Sequence, residues 1–189
     1  MKYITQTAVI FCLILLAGCS IFPAANNQKT HYYDLTQPPR ITLHQPLEVL
    51  PFVTTSGDRF RMAARIGKSE IAGDDFHKWI LPPGSLLTKY LRLAFRDTPE
   101  THLQSEEDPM TLTGEILTFE ISGEYAELGV RYHLNYKKKQ LDKTILLREK
   151  LAEETPAGFA AAMSKTAEKF AGIVATDANR MSQTISKKK

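Results

Sequence analysis

Twelve residues near the middle of the chain constrain its fold more than any other stretch. Ala126, Leu128, Val130, Tyr132, Leu134 and Tyr136 alternate with Glu127, Gly129, Arg131, His133, Asn135 and Lys137. Successive side chains of a strand point to opposite faces, so a strict period of two makes one apolar face and one polar face. A long strand of this kind belongs to an antiparallel sheet covered on one side and wet on the other. Lys137, Lys138, Lys139 and Gln140 turn the chain, and residues 144–151 read as the partner strand.

The flanking segments supply the cover. Pro82, Pro83 and Gly84 mark a helix start, and Leu86, Leu87, Tyr90, Leu91 and Ala94 follow at helical spacing over residues 85–95. A second helix carries Phe159, Met163, Ala167, Phe170, Ile173, Val174 and Met181 on one side, with Lys165, Glu168 and Lys169 opposite. Thr155-Pro156 is its N-cap and first position, and the lysines at 187–189 suit a C-terminal dipole end. Residues 32–35 and 47–53 read as short strands, Pro51 placing the second at an edge or bulge. Residues 60–66 form another between Gly57 and Gly67, and residues 111–121 a further one with Gly114 as the site for a bulge. Residues 98–109 are polar and acidic and read as a loop. The expected fold is α+β: a mostly antiparallel sheet of about six strands with two main amphipathic helices packed on it. Residues 32–189 make one domain, large enough to need no covalent staple.

The first thirty residues are of another kind. Lys2 precedes an apolar run over residues 8–17, which as a helix reaches about 15 Å, half a bilayer core. A signal-peptide core has this length. It ends in Leu16-Ala17-Gly18-Cys19, which resembles the bacterial lipobox. On that resemblance residues 1–18 are a lipoprotein signal peptide cleaved between Gly18 and Cys19. Cys19 then carries covalent diacylglycerol and an N-acyl chain, palmitate-type modifications that anchor the chain without spanning the membrane. Residues 19–31 are the lipidated Cys and a flexible tether, whose dozen residues reach about 20 Å. Ser20 stands where Asp marks inner-membrane retention, so the resemblance favours the outer membrane, facing the periplasm. The other cysteine, Cys12, leaves with the signal, so the mature chain has no disulfide framework and no thiol nucleophile.

Composition excludes further classes. Apolar residues at 43% are too many for disorder, and a net charge of +3 without basic clusters is too small to argue for nucleic acid. Gly67-Lys68-Ser69 echoes the end of a phosphate loop, but Met62 stands where the motif needs its first Gly, so a turn is expected. His31, His44, His77, His102 and His133 lack metal-ligand spacing and read as solvated. Asp74, Asp75 and His77 with Ser85 invite an acid–base reading. No nucleophile elbow accompanies them, and charge and capping near a helix start is the plainer role. No catalytic, metal or cofactor residue is assigned. Glu106, Glu107 and Asp108 are a solvated loop, and Lys137–Lys139 either a solvated hairpin tip or a contact for anionic lipid heads. Phe76, Trp79, Pro82 and Pro83 have two readings: packing of Trp79 into the helix–sheet layer, or an exposed contact for a protein or lipid partner.

The order of these features resembles the ABC-type transport auxiliary lipoprotein family, the PqiC-like outer-membrane lipoproteins. The resemblance rests on the lipobox, the tether, Tyr32-Tyr33-Asp34-Leu35, the strand with Pro51 and the Trp79 segment running into a Leu-rich helix. It continues through the strand from Gly114 to Phe119, the alternating hairpin and the last Ala- and Met-rich helix. It implies a non-enzymatic, auxiliary component of an ABC/MCE-type envelope lipid transport system. The implied partners are the membrane through the anchor, a periplasm-spanning MCE-type protein, and its ABC permease and ATPase. Phospholipid is a candidate ligand and homo-oligomerisation is open. A structural lipoprotein that assembles an outer-membrane complex, LptE-like in role, is the alternative, and a periplasmic hydrolase using Asp75 and His77 a third.

Overall fold

The computed structural model describes residues 28–55, 60–96 and 109–186. Its elements are β1 (His31–Tyr33), β2 (Leu47–Val49), β3 (Val53–Thr54), β4 (Arg61–Ile66), β5 (Glu70–Trp79), α1 (Pro83–Ala94), β6 (Met110–Ser122), β7 (Tyr125–Tyr136), β8 (Lys139–Lys150) and α2 (Pro156–Ser186). The class is α+β, as the sequence indicated. One eight-stranded sheet runs β1-β5-β4-β6-β7-β8, with β2 and β3 also paired to β6. Both helices join one hydrophobic cluster with the sheet, centred on Trp79, Leu91, Leu112, Leu128, Tyr132, Phe159 and Phe170. The signal segment, Cys19, most of the tether and the acidic loop with His102 lie outside the described residues.

The sheet is mixed, which corrects the expectation of a mostly antiparallel one. β4–β5, β6–β7 and β7–β8 pair antiparallel. β1 pairs parallel with β5, and β2, β3 and β4 pair parallel with β6, end to end along its edge. Strands of two or three residues carry no period from which a partner's direction could be read. The count rises from six for two reasons. Residues 47–53 split at Pro51, which has no N–H to give a ladder. The segment ending in Trp79, expected to lead into a helix, is strand β5. Its register explains the misreading: Arg61 pairs with Lys78 and Ala63 with Gly73, so residues 74–77 oppose Met62 alone. That excursion breaks the alternation.

Two other local expectations move. The bulge in β6 lies between Ile116 and Thr118, not at Gly114. Gly114 is required for space, because a Cβ there would stand 2.3 Å from the Phe52 ring. β8 starts at Lys139, five residues early, because Lys137 adopts the left-handed φ of 55° and closes a two-residue turn. Its inward set alternates Lys139, Leu141, Lys143, Ile145, Leu147 and Glu149, all half-buried, so the apolar signal at this sheet edge is diluted.

The helix ends follow their chemistry. Thr155 Oγ1 accepts the Gly158 N–H at 3.0 Å, the cap expected before Pro156. α1 has no cap of its own and borrows one from β3, the Gly84 N–H donating to Thr54 Oγ1 at 2.8 Å. Thr88 Oγ1 donates to the Gly84 carbonyl and accepts the Phe52 N–H, fixing the strand break at Pro51 against the helix. Among the described residues no helix is long and apolar enough to cross a membrane.

Candidate functional site

Strands β4 and β5, the β6–β7 turn and the first turn of α2 line a groove of about 460 Å³ toward one end of the sheet. The volume falls within the ~300–1,000 Å³ of small-molecule sites. Its floor is made by small residues, Ala64 of β4 with Ala72 and Gly73 of β5, beside Ile121 and Gly123. Leu151, Pro156 and Phe159 form the wall. Larger side chains on the floor would have closed the space beneath α2, so the groove exists because the strands are built from Ala and Gly here. Asp74 and Glu154 are its charged lining residues, both carboxylates.

Asp74 also holds the strand excursion together. Its Oδ1 accepts the backbone N–H of Phe76 at 2.8 Å and of His77 at 2.9 Å, and Oδ2 lies 2.8 Å from His77 Nδ1. Burial pushes its carboxyl up, but the Phe76 N–H and the two His77 groups outweigh that and hold it below its ordinary value. The role expected near a helix start is thus played inside a strand. Asp75 turns outward to a 3.0 Å bridge with Arg61, and Ser85 is exposed on α1. The sequence cluster does not assemble into a nucleophile–base pair.

The parallel register of β1 brings His31 level with His77, and the rings stack at 5.5 Å. Sequence spacing could not reveal this pair. His133 bonds Asp142 across the hairpin, holding that carboxyl below its ordinary value, with help from Gln140. His44 donates its backbone N–H to Asn179 at 2.9 Å. Among the described residues no three His, Cys, Asp or Glu side chains gather as metal ligands. Gly67, at φ 65°, lies in the β4–β5 turn, so Gly67-Lys68-Ser69 is a hairpin connection.

Of the four residues offered as a partner contact, Trp79 and Pro83 are buried, and Phe76 and Pro82 half-buried. Trp79 is fully enclosed, its ring edge-on to Phe119 at 5.1 Å and to Phe159 at 5.4 Å. It is a core residue, and the exposed-patch reading of it is corrected. Phe159 both touches the ring of this only tryptophan and lines the groove. At the far end of the sheet a buried network escaped sequence reading. Tyr132 Oη donates to Asp177 at 2.7 Å, and Lys143 Nζ donates to both Asp177 oxygens at 2.6 and 2.7 Å. Burial and then the Asp177 carboxylate push the Tyr132 phenol far up, so it stays protonated. The available signal was positional: Asp177 falls on the apolar stripe between Val174 and Met181.

The molecule is therefore polar end to end. β1 runs parallel to β5, so its first residue, His31, lies toward the bulge and the groove end of the sheet. The Lys137–Lys139 turn closes the opposite end of β7, about 40 Å from the β6–β7 turn at ~3.3 Å per residue over twelve residues.

No family model matches the sequence, and no curated protein is significantly similar to it. Solved structures do share the fold. Protein XCC0632 from Xanthomonas campestris, described as DUF330, superposes with a TM-score of 0.67 at 17% identity, covering 84% of this chain and 99% of that one. An uncharacterized protein gives 0.65 at 12% identity, covering 79% and 98%. At such identities the likeness is one of fold.

Proposed function

We propose that the chain is an outer-membrane lipoprotein facing the periplasm, serving as a non-enzymatic auxiliary of an ABC/MCE-type envelope lipid transport system. One observation carries the reading: its folded body has the fold of a protein designated DUF330, the designation of the PqiC-like family that the sequence resembles. Three features of the chain are compatible with it. Leu16-Ala17-Gly18-Cys19 supplies the anchor in the manner of a lipobox. β1 begins toward the groove end of the sheet, opposite the Lys137–Lys139 end, and a tether from Cys19 joins the body there. The titratable groups drawn together, Asp74 with His77 and Tyr132 with Asp177 and Lys143, are engaged in holding a strand excursion and a helix. In this role the protein binds and positions, and ATP is hydrolysed by a partner.

The test has two parts. Labelled palmitate is incorporated into the wild type and not into Cys19→Ser, and the modified chain fractionates with outer membrane. Crosslinking in cells then recovers an MCE-type protein with the wild type. An unlabelled wild-type chain overturns the anchor, and recovery of a β-barrel assembly partner in place of the MCE-type protein overturns the transport role.

A further inference from the structure

We infer that the groove beneath the first turn of α2 takes one acyl chain of a bulk membrane phospholipid. The inference rests on the anchored-lipoprotein reading and adds to it a ligand and a site. The lining is apolar apart from two carboxylates, Asp74 and Glu154, and Thr155, whose hydroxyl already accepts the Gly158 N–H, with no Lys or Arg among its residues. That charge pattern disfavours a free fatty acid or any ligand that buries an anionic head, and admits a hydrocarbon chain whose headgroup stays outside. Position supplies the membrane. His31 begins β1 toward the groove end, and from residue 28 back to Cys19 is nine residues, at most about 30 Å fully extended. A body tethered this closely by that end holds its groove within reach of the bilayer. The β4–β5 hairpin beside it carries Ile66 and Ile71, both about half exposed, on either side of Gly67-Lys68-Ser69. An apolar hairpin flank with one Lys suits the headgroup boundary. The occupant is bulk phospholipid rather than the protein's own acyl chains, because those chains share the bilayer with a large excess of the same hydrocarbon.

Trp79 makes the proposal measurable. It is the only tryptophan, and its ring packs on Phe159, which lines the groove. The mature lipidated protein is reconstituted into phosphatidylethanolamine vesicles whose acyl chains carry bromine, a short-range quencher of indole emission. Quenching of Trp79 relative to unbrominated vesicles is expected, with loss of that quenching in Ala72→Leu, which fills the floor while leaving Cys19 in place. Ala64→Leu fills it from the neighbouring strand and serves if the first variant changes the melting temperature. Unquenched Trp79 in the wild type overturns the proposal, and is the result that occupancy by the protein's own anchor would give. Equal quenching in wild type and a folded filled variant also overturns it. Flotation with the vesicles is scored in the same samples: protein that floats without quenching leaves the anchor standing and removes the groove, whereas protein that does not float removes the anchor.

Discussion

Replacing Trp79 separates a core residue from a contact residue, because the two roles predict opposite kinds of loss. The side chain is 0% exposed and sits in ring contact with Phe119 and Phe159, joining β5 to β6 and α2. Truncation to Ala removes a large buried ring and leaves a cavity, a change that costs about 3–5 kcal/mol. Part of that is the two edge-to-face contacts, each about 0.5–1.5 kcal/mol beyond area burial. For a domain of this size ~1 kcal/mol shifts Tm by about 2–4 °C, so Trp79→Ala lowers Tm by about 6–20 °C. Trp79→Phe distinguishes ring packing from polarity. The indole Nε1–H is buried with no acceptor among the described residues. Removing an unpaired buried donor returns about 1–3 kcal/mol, against the volume lost with the second ring. The two terms oppose, and Trp79→Phe lies within about 1.5 kcal/mol of wild type. Urea unfolding followed by far-UV circular dichroism reads both variants without the indole. Trp79→Ala within ~0.5 kcal/mol of wild type, the range of an ordinary surface change, refutes the core assignment.

Two more outcomes follow from the packing and the charges. Gly114→Ala destabilises by about 1–3 kcal/mol, because the new Cβ would stand 2.3 Å from Phe52 Cε1 and 2.8 Å from the Arg131 carbonyl. That exceeds the ~0.4–1 kcal/mol that Gly→Ala gains by restricting the unfolded chain. Phe52→Leu in the same chain should relieve part of the loss, and additive effects in a double-mutant cycle would refute the clash. Acid unfolding reads the carboxylates. Asp74, Asp142 and Glu149 are held below their ordinary values, Glu149 chiefly by its bond from Lys169. With folded values below unfolded ones, their stabilisation is present above the ordinary carboxylate range and is lost as pH falls through the folded values. The contribution of these carboxylates to the urea midpoint is therefore complete above about pH 5 and drops below about pH 4, and Asp74→Asn lessens the drop; a midpoint that rises on acidification from pH 5 contradicts the assignment.

How far the fold could be read from sequence depended on the length of each signal. The apolar face of the β7 alternation is borne out, with Ala126, Leu128, Val130, Tyr132, Leu134 and Tyr136 all buried, whereas on the opposite face, expected to be wet, Glu127 and Gly129 are buried as well. The Leu-rich helix and the Thr155-Pro156 start of α2 also appear where local chemistry placed them. Long periodic segments average out exceptions. β1, β2 and β3 are too short to do so, and residues 74–77 of β5 break their own pattern. Gly114 was legible as special but not as the seat of Phe52, since the partner lies sixty-two residues away in the chain.

By itself the sequence determined the parts that depend on neighbours in the chain: the lipobox-like end, the amphipathic faces, the helix starts and the absence of a disulfide framework. Only the tertiary structure decided which strands lie side by side, and with them the groove, the His31–His77 stack and the Asp177 network. The reason is physical. Backbone propensity and side-chain period act over a few residues, whereas a cavity is the space left when Ala64, Ala72, Gly73 and Phe159, from three separate elements, are brought to one place.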